Sequence, residues 1–365
     1  MPGRFGLLWE NLGPPHHDRL RALVGAGHQV VALELFASSQ DYDWSAEPIE
    51  ANCEIVTLAK DRQSISTLRL ARRIARAVTR SNLQHVFLCH YNEPAVFLAA
   101  IALRLRGVKV FGTFDSKGDD RDRSRLNAVA RKVMMWPYHG ALVAGPRSAQ
   151  YVASMGISQD RIALNYSSLD IARLRRLGEL SLSVAFVERP FMIVARLVAK
   201  KNIATAIRAF ASYRHNGGQR NLEIAGDGPE GPALAQLSAA LGLSEHVRLL
   251  GALNQAEVAL AMRKSLAMIL PSTVEQFGLV VTEALAQGLV PIVSSHAGAV
   301  DVLIDHGENG VVFDPTDEEA LLRAMESLDR DESLWKRMSA AAYKSADRGD
   351  VRHFVASVEE LARAG

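Results

Sequence analysis

The stretch from residue 271 to residue 288 reads PSTVEQFGLVVTEALAQG and carries the strongest structural signal in this chain. A short apolar run precedes it and ends at Pro271. Its second half has helical composition and stops at Gly288, as a helix that ends on a glycine does. The loop at 272–277 is therefore predicted to join a strand to a helix. Such a helix directs backbone N–H groups into the ligand crevice of a parallel α/β sheet, so we expect an anion there.

Two glutamates, Glu275 and Glu283, lie eight residues apart in this stretch. If the residues between them are mostly helical, the two carboxylates are at most ~12 Å apart, at a rise of about 1.5 Å per residue. A hydrolytic pair needs carboxyls about 5 to 9.5 Å apart across one bond. We therefore favour two hydrogen-bonding roles on one extended ligand, with two ordinary glutamates of a surface helix as the alternative.

Similar junctions lie upstream. The apolar run at 191–195 leads through Arg196 and Lys201 to a predicted helix at 203–213, and the run at 222–225 is followed by a glycine turn at 226–229. Arg196 offers a planar fork for phosphate oxygens, and Lys201 offers a mobile charge. The glycines are expected to let the backbone approach a ligand closely. Further strands are predicted at 247–250, 266–270 and 290–294.

Five separated motifs thus follow one another between residues 190 and 315. They are the segment from Arg196 to Lys201, the turn that begins at Gly226, Glu275 with Glu283, Gly298, and Asn309-Gly310. Together they resemble the motifs of the retaining GT-B glycosyltransferases of the E-x7-E family, glycosyltransferase family 4, group 1. One departure follows Gly298, where Ala299 and Asp301 replace the usual second glycine and a glutamate.

The resemblance implies a function for the C-terminal half. It would bind a nucleotide-diphosphate sugar of the UDP or GDP type as substrate, with no further cofactor. The diphosphate falls to Arg196 and Lys201, the ribose hydroxyls to Glu283, and the donor sugar to Glu275 with the amides that follow Gln276. The predicted donor site comprises Arg196, Lys201, Gly226, Glu275, Phe277, Gly278, Leu279 and Glu283.

The predicted chemistry needs no metal. Two cations and a helix start can stabilise the charge that develops on a departing nucleoside diphosphate. The pairs Asp120/Asp122 and Asp329/Asp331 lie in charged runs typical of a solvated surface. Cys53 and Cys89 lack metal-ligand partners at a recognisable spacing and are interpreted as small hydrophobic residues of a reducing compartment.

The N-terminal half also alternates strands with helices. We predict a GT-B architecture: two Rossmann-like, doubly wound parallel-sheet domains facing across a cleft. Residues 1–180 form an acceptor-binding domain and residues 181–350 a nucleotide-sugar-binding domain, with an interdomain linker at 172–190. The helix at 351–365 is expected to cross back to the first domain. Strands are predicted at 5–9, 30–35, 54–58, 86–89, 108–113, 140–143 and 162–165, and helices near 16–26, 66–80, 94–106, 124–134 and 146–155.

Four residues are candidates for the acceptor side, because each follows a predicted strand of the first domain. They are Gly13, His16, His90 and Asp115. Many family members have a histidine where Asp115 stands, so Asp115 is a candidate substitute that accepts a hydrogen bond from the incoming hydroxyl or the donor sugar. A helix cap or turn is the alternative for Asp115, surface or capping roles for His16, and a satisfied sheet-edge histidine for His90. Catalytic candidates are Glu275, Asp115, Arg196 and Lys201.

Charge is unevenly shared: residues 1–185 hold 24 Lys or Arg against 17 Asp or Glu, although the whole chain has a net charge of +2. Five arginines repeat on one face of the predicted helix at 66–80, a pattern that favours a solvated amphipathic helix packed on its own sheet, with docking on anionic lipid headgroups as the alternative. These arginines are not interleaved with aromatic residues, so we do not expect a nucleic-acid partner. The chain shows no signal peptide or apolar run of ~20 residues, so we expect a cytoplasmic protein, with peripheral attachment to the inner face of the membrane as an option. The five arginines on one face of the predicted helix at 66–80 are Arg69, Arg72, Arg73, Arg76 and Arg80.

These observations predict a metal-independent transferase that moves one sugar to an acceptor hydroxyl with retention, in cell-surface polysaccharide or glycolipid assembly. The acceptor is a sugar, a lipid-linked sugar or a small molecule. Retention comes from the family resemblance alone. Two other classes stay open, because fold does not fix function: a related epimerase or phosphorylase, and a catalytically silent nucleotide-sugar-binding subunit.

Overall fold

The computed structural model describes residues 3–37, 53–118, 132–179 and 184–364. Contacts divide the chain into two compact units. Unit 1 comprises Met1–Asp170 and Asp350–Gly365, and unit 2 comprises Ile171–Gly349. The Asp120/Asp122 pair and most of the predicted helix at 124–134 lie outside the described residues. No helix in the described ranges is long and apolar enough to cross a membrane.

Unit 1 is built on a seven-stranded parallel sheet in the order β3-β2-β1-β4-β5-β6-β7. Its strands are apolar on both faces, as in a sheet covered by helices on both sides. The order reverses between β1 and β4, which is where a ligand crevice opens in such sheets. The strands are β1 (Arg4–Trp9), β2 (Gln29–Phe36), β3 (Glu54–Ala59), β4 (His85–Leu88), β5 (Lys109–Phe114), β6 (Gly140–Val143) and β7 (Ile162–Ala163).

The second helix of unit 1 buries one apolar stripe, whereas the first buries His17, Asp18 and Arg19 beside Leu20 and Leu23. In the second helix the buried positions are Leu70, Ala71, Ile74 and Val78, a spacing of three to four residues. The helices are α1 (Pro14–Gly25), α2 (Thr67–Arg80), α3 (Pro94–Arg104), α4 (Pro146–Ser154) and, from the end of the chain, α13 (Val351–Ala364). The final helix packs in the core of unit 1 through Phe354, Val358 and Leu361.

Unit 2 contains a six-stranded parallel sheet in the order β10-β9-β8-β11-β12-β13, with the reversal between β8 and β11. Its strands are β8 (Phe191–Val194), β9 (Leu222–Ala225), β10 (Val247–Gly251), β11 (Ala267–Leu270), β12 (Val290–Ser294) and β13 (Val311–Phe313). Its helices are α5 (Ile171–Leu177), α6 (Ile203–His215), α7 (Gly231–Ala240), α8 (Gln255–Lys264), α9 (Leu279–Ala286), α10 (Val300–Leu303), α11 (Glu318–Arg330) and α12 (Glu332–Ser345). Two doubly wound parallel-sheet domains are therefore confirmed.

One prediction is wrong. The segment at 172–190, interpreted as a linker, contains α5, and unit 2 begins at Ile171. This helix is short and buries only Ile171 and Leu174, so two apolar positions were too few to show a helical period. The predicted boundary at residue 180 falls within residues 180–183, which the structure does not describe.

Candidate functional site

The donor-site candidates of unit 2 lie at the point where its strand order reverses. Arg196 and Lys201 stand in the loop between β8 and α6, and Glu275 stands in the loop between β11 and α9. β8 and β11 are hydrogen-bonded neighbours. Two loops that the sequence separates by about seventy residues therefore leave adjacent strands at the carboxyl edge of the sheet, where α/β proteins bind ligands.

Lys201 and Glu275 form a largely buried ion pair. Lys201 Nζ donates to Glu275 Oε2 at 2.5 Å, and the side chains are 15% and 13% exposed. Ser272 Oγ donates to the same carboxylate oxygen at 3.0 Å. Sequence reasoning gave the two charged groups separate tasks, on the diphosphate and on the sugar. The structure joins them in one hydrogen-bonded unit.

Backbone contacts hold Lys201 in place. Asn202 adopts a left-handed conformation with φ of 53° and begins α6. Its side-chain amide donates to the carbonyls of Pro271 at 3.2 Å and Pro315 at 3.1 Å. The Thr273 N–H donates to the Lys200 carbonyl at 2.9 Å. The residues on both sides of Lys201 are thus tied to the loop that carries Glu275, so the ammonium is preorganised.

The glycine turn after β9 supports the chain around Arg196. A Cβ on Gly226 would lie 1.9 Å from the Ala195 carbonyl oxygen, and one on Gly228 would lie 2.5 Å from the Leu197 carbonyl oxygen. Both glycines also have positive φ, 137° and 153°. The close backbone approach predicted for this turn is therefore an approach to the chain itself. The turn packs against residues 195–197 and fixes the position from which half-buried Arg196 projects.

A second loop buttresses the start of α9. The Ala299 N–H donates to the Phe277 carbonyl at 2.9 Å, and a Cβ on Gly298 would lie 2.3 Å from the Gln276 carbonyl oxygen. Gly278, at φ of 96°, begins the helix, whose first N–H groups lack partners within the helix. Ala299 has φ of −60°, so an alanine at this position is unstrained.

Glu283 borders an apolar cavity in unit 2. The cavity is about 420 Å³, part of it open to solvent, and takes its walls from α5, β8, α8 and α9. Glu283 is an acidic group on a mostly apolar lining, an arrangement typical of a pocket that orients an amphipathic ligand. The lining residues are Leu174, Val194, Leu253, Gln255, Val258, Ala259, Met262, Glu283 and Gln287.

In unit 1, the acceptor-side candidates stand after β1, β4 and β5, which are successive neighbours in the sheet. Gly13 is the N-cap of α1, and its N–H donates to His16 Nδ1 at 3.0 Å. His90 follows β4 in a left-handed conformation, and its Nε2 lies 3.5 Å from Glu10 Oε2. Asp115 is half-buried and is the first residue after β5. The structure thus brings all four candidates to one edge of the sheet.

The capping alternative for His16 is present in the structure, because its Nδ1 accepts the N–H of the helix cap. Burial, together with the charges of Arg19, His17 and His90, lowers the pKa of His16 well below its usual range. The ring is therefore neutral at physiological pH, with Nδ1 as acceptor and the proton on Nε2. A neutral donor at this position can bond an acceptor hydroxyl or a phosphate oxygen.

This pKa depression predicts acid sensitivity. The unfolded chain protonates His16 near pH 6.5, whereas the folded chain does so only at lower pH, so the unfolded state binds more protons in between. The free energy of unfolding should therefore fall as the pH drops below about 7, by up to ~1.4 kcal/mol per pH unit from this group. Urea unfolding at pH 7.5 and 5.5 should show a smaller loss for His16→Gln than for the wild type. An exposed-site control, His215→Gln, should follow the wild type; an unchanged loss in His16→Gln would refute the assignment.

Sequence reasoning missed a buried cluster beneath these candidates. Arg19 is 2% exposed, and its guanidinium lies 4.6 Å from the centre of the Tyr166 ring. Trp9 Nε1 donates to the Tyr166 hydroxyl at 3.0 Å, and burial raises the pKa of Tyr166 to about 12. The charge of Asp115 also acts on Arg19. An arginine in a short helix looks like a surface residue, so no pattern indicated this cation.

The basic face of α2 is exposed. Four of its arginines point to solvent, while Arg73 Nη1 also donates to the Leu58 carbonyl. In the described part of the chain, no group of three or more His, Cys, Asp or Glu is arranged to hold a metal ion. The four arginines of α2 that point to solvent are Arg69, Arg72, Arg76 and Arg80.

Comparison with known proteins finds a family match for the C-terminal part of the chain. Residues 187–345 match the model described as Glycosyl transferases group 1. The α-D-kanosaminyltransferase of Streptomyces kanamyceticus is 30% identical over 183 residues, 48% of this chain and 47% of that protein. The N-acetyl-α-D-glucosaminyl L-malate synthase of Bacillus anthracis is 26% identical over 296 residues, 76% of this chain and 74% of that protein. Residues 187–345 therefore belong to the group 1 glycosyl transferases, as the motifs predicted.

The chain spans about half or less of the length of the first curated relatives that it matches. A solved structure supports the fold over nearly the whole chain. HepE of Anabaena, in complex with UDP-glucose, superposes with a TM-score of 0.75 at 16% identity and covers 99% of this chain and 98% of its own. The predicted GT-B fold class is therefore confirmed.

Proposed function

We propose that this protein is a retaining, metal-independent glycosyltransferase that moves a single sugar from a nucleotide-diphosphate sugar to an acceptor hydroxyl. The observation that carries the proposal is the Lys201–Glu275 pair at the strand-order reversal of unit 2. Its elements are a preorganised cation, a carboxylate and a helix start at one sheet edge. A phosphate-linked sugar is the ligand that uses all three.

Each part of the donor has a candidate partner. The diphosphate is assigned to Arg196 and Lys201, and the donor sugar to Glu275 with the N–H groups at the start of α9. The nucleoside is assigned to the apolar cavity, where Glu283 accepts hydrogen bonds from the ribose hydroxyls. A mostly apolar lining that carries one carboxylate suits a flat base attached to a polar ribose. UDP-glucose bound to HepE supports the same class of donor.

The proposed reaction requires no strong protein base. The acceptor oxygen bonds to the anomeric carbon as the bond from that carbon to the diphosphate oxygen breaks. The acceptor proton passes to the departing diphosphate oxygen. Lys201, Arg196 and the helix start stabilise the charge that develops on this oxygen, and preorganised dipoles and cations are worth most in a site that excludes water. We propose that these groups, and no metal ion, carry the stabilisation.

Unit 1 is proposed to hold the acceptor. Asp115, at the end of β5, would accept the hydrogen bond of the incoming hydroxyl or of the donor sugar, and the neutral His16 ring would donate from Nε2. His90, paired with Glu10, would complete this edge. We assign Asp115, His16 and His90 the role of orienting the acceptor, because positioning alone supplies much of the rate of a transfer between two bound molecules.

A donor and acceptor screen tests the function. Wild-type protein is incubated with UDP-sugars and GDP-sugars, with and without soluble and lipid-linked hydroxyl acceptors, and followed by proton NMR. We expect nucleotide release that depends on an acceptor, and a product with the anomeric configuration of the donor. Conversion of the donor sugar without an acceptor would make the protein an epimerase. Binding of nucleoside diphosphate without turnover in any mixture would make it a silent subunit.

The exposed arginine face of α2 supports a location on the inner face of the membrane and a role in glycolipid or surface-polysaccharide assembly. Clustered cations near an anionic bilayer contribute about 1 kcal/mol each. The protein should therefore pellet with vesicles that contain phosphatidylserine and remain in solution with neutral vesicles. Replacement of Arg69, Arg72, Arg76 and Arg80 by Gln should abolish pelleting. Equal pelleting of this variant would contradict the assignment.

A further inference from the structure

A second cavity, which is polar, lies at the amino-terminal edge of the unit 1 sheet. This edge is opposite to the one that carries His16, His90 and Asp115. Its basic groups come from the starts of neighbouring strands. Lys109 is the first residue of β5, His139 precedes β6 and Arg161 precedes β7. With Phe111, Leu361 and Ala364 they line about 380 Å³, part of it open to solvent. Nothing in the proposed transfer reaction uses this edge.

The histidine is held as a hydrogen-bond donor toward this cavity. His139 Nδ1 accepts the Val110 N–H at 3.1 Å, and the backbone N–H of His139 donates to the Val110 carbonyl at 2.7 Å. The ring is thus fixed with its proton on Nε2. Burial, reinforced by the charges of Arg104, Lys109 and Arg161, lowers the pKa of His139, so the ring is a neutral donor among cations.

A glycine brings the arginine into place. A Cβ on Gly140 would lie 2.6 Å from the Arg161 carbonyl oxygen and 3.2 Å from the Phe111 ring. A side chain at this position would push the Arg161 backbone away from β6. Gly140 therefore permits the approach that places a guanidinium beside the histidine and the lysine.

Within the described residues, the cations of this cavity form no close ion pair with a carboxylate, although the adjacent, exposed Asp160 lies within electrostatic range of Arg161. Neither Lys109 nor Arg161 forms an ion pair there, whereas cations such as Arg62, Arg175 and Arg348 each do. The last turn of α13 ends at Ala364 beside the cavity, and its carbonyls supply only partial negative charge. Two mutually repelling cations and a neutral N–H donor around one cavity are complementary to a compact anion.

We propose that this cavity is a binding site for a small phosphorylated molecule, whose phosphate group is held by Lys109, Arg161 and His139. Arg161 supplies a fork for two phosphate oxygens, Lys109 a point charge and His139 a neutral donor. The site is distinct from the donor site of unit 2 and does not depend on the proposed transferase activity. A ligand that binds only the folded state is expected to stabilise unit 1.

Inorganic pyrophosphate is the probe for this site, titrated at constant ionic strength. The readout is the ring-proton NMR signal of His139, assigned by its loss in His139→Gln, because this signal reports on the cavity and not on the donor site. We expect a saturable shift in the wild type, with affinity weakened about tenfold or more in Lys109→Ala and in Arg161→Ala. Arg106→Ala removes a nearby exposed charge that does not line the cavity and should bind as the wild type does.

Two outcomes would overturn the proposal. In one, the His139 signal does not move at any pyrophosphate concentration. In the other, it moves equally in the wild type and in both cavity variants, which would mean that the cations serve only the end of α13. Melting temperatures without pyrophosphate establish that each variant is folded. The Lys201→Ala variant separates the two sites, because it should lose donor binding and keep the His139 response.

Discussion

The Lys201→Ala variant should bind nucleoside diphosphate about 10- to 100-fold more weakly than the wild type, because a hydrogen bond to a charged group contributes about 1.5–3 kcal/mol. Turnover should fall by at least the same factor, since the lost ammonium also faces the charge that develops on the leaving diphosphate. Calorimetric titration measures the affinity. A steady-state assay with the donor found in the screen measures the turnover.

The neighbouring lysine is a matched control. Lys200 is exposed, and its carbonyl, not its side chain, contacts the glutamate loop. Lys200→Ala should therefore retain affinity and turnover. Removal of Lys201 leaves the Glu275 carboxylate largely buried without its cation, which costs up to about 3–5 kcal/mol of stability. Denaturant unfolding should reveal that loss. Wild-type affinity in a folded Lys201→Ala protein would contradict the assigned role.

Glu275→Ala should behave differently, because its carboxylate is assigned to the donor sugar. Turnover should fall more than affinity for the nucleoside diphosphate.

The second large effect is expected from Gly226→Ala. The added Cβ would lie 1.9 Å from the Ala195 carbonyl oxygen, and φ at this position is 137°. Backbone strain of this kind costs about 1–3 kcal/mol, and overpacking against a fixed carbonyl adds about 1–3 kcal/mol. The backbone beside Arg196 must move to relieve the overlap. Nucleoside diphosphate binding should therefore be lost together with stability.

Gly217→Ala separates strain from overlap. Gly217 also has a positive φ, 93°, but a Cβ there meets nothing within 4 Å. This control should cost about 1–2 kcal/mol of stability and leave binding intact. Denaturant unfolding and nucleotide titration of both variants give the comparison. Equal losses in the two variants, or intact binding by Gly226→Ala, would show that the glycine turn does not position Arg196.

Much of this architecture follows from local sequence. Buried strands such as the one at Ala267–Leu270 read as short apolar runs, and glycine or proline marks their ends. Helix α9 begins after a glycine at positive φ and ends just before Gly288, as its composition indicated. These signals are strong because each depends on a few adjacent residues. The motifs for the donor site share this property.

Other features arise from contacts between distant residues and leave no local trace. The Lys201–Glu275 pair requires β8 and β11 to be neighbours, which depends on strand order. Helix α5 is too short to show a period. The buried Arg19 is stabilised by the aromatic rings of Tyr166 and Phe354, which are far from it in the sequence. Sequence reasoning could place the donor-site loops, but not the pairing of charges between them.

The most direct test of the account is calorimetric titration of the wild type and the Glu283→Ala variant with UDP and GDP, beside the control Glu319→Ala, whose side chain is 87% exposed. The account predicts that the wild type and Glu319→Ala bind one of the two nucleotides alike. It predicts that the affinity of Glu283→Ala for the same nucleotide is lower by a factor of about ten or more. Absence of binding by the wild type, or equal affinity in Glu283→Ala, would contradict the claim that unit 2 holds a nucleotide sugar.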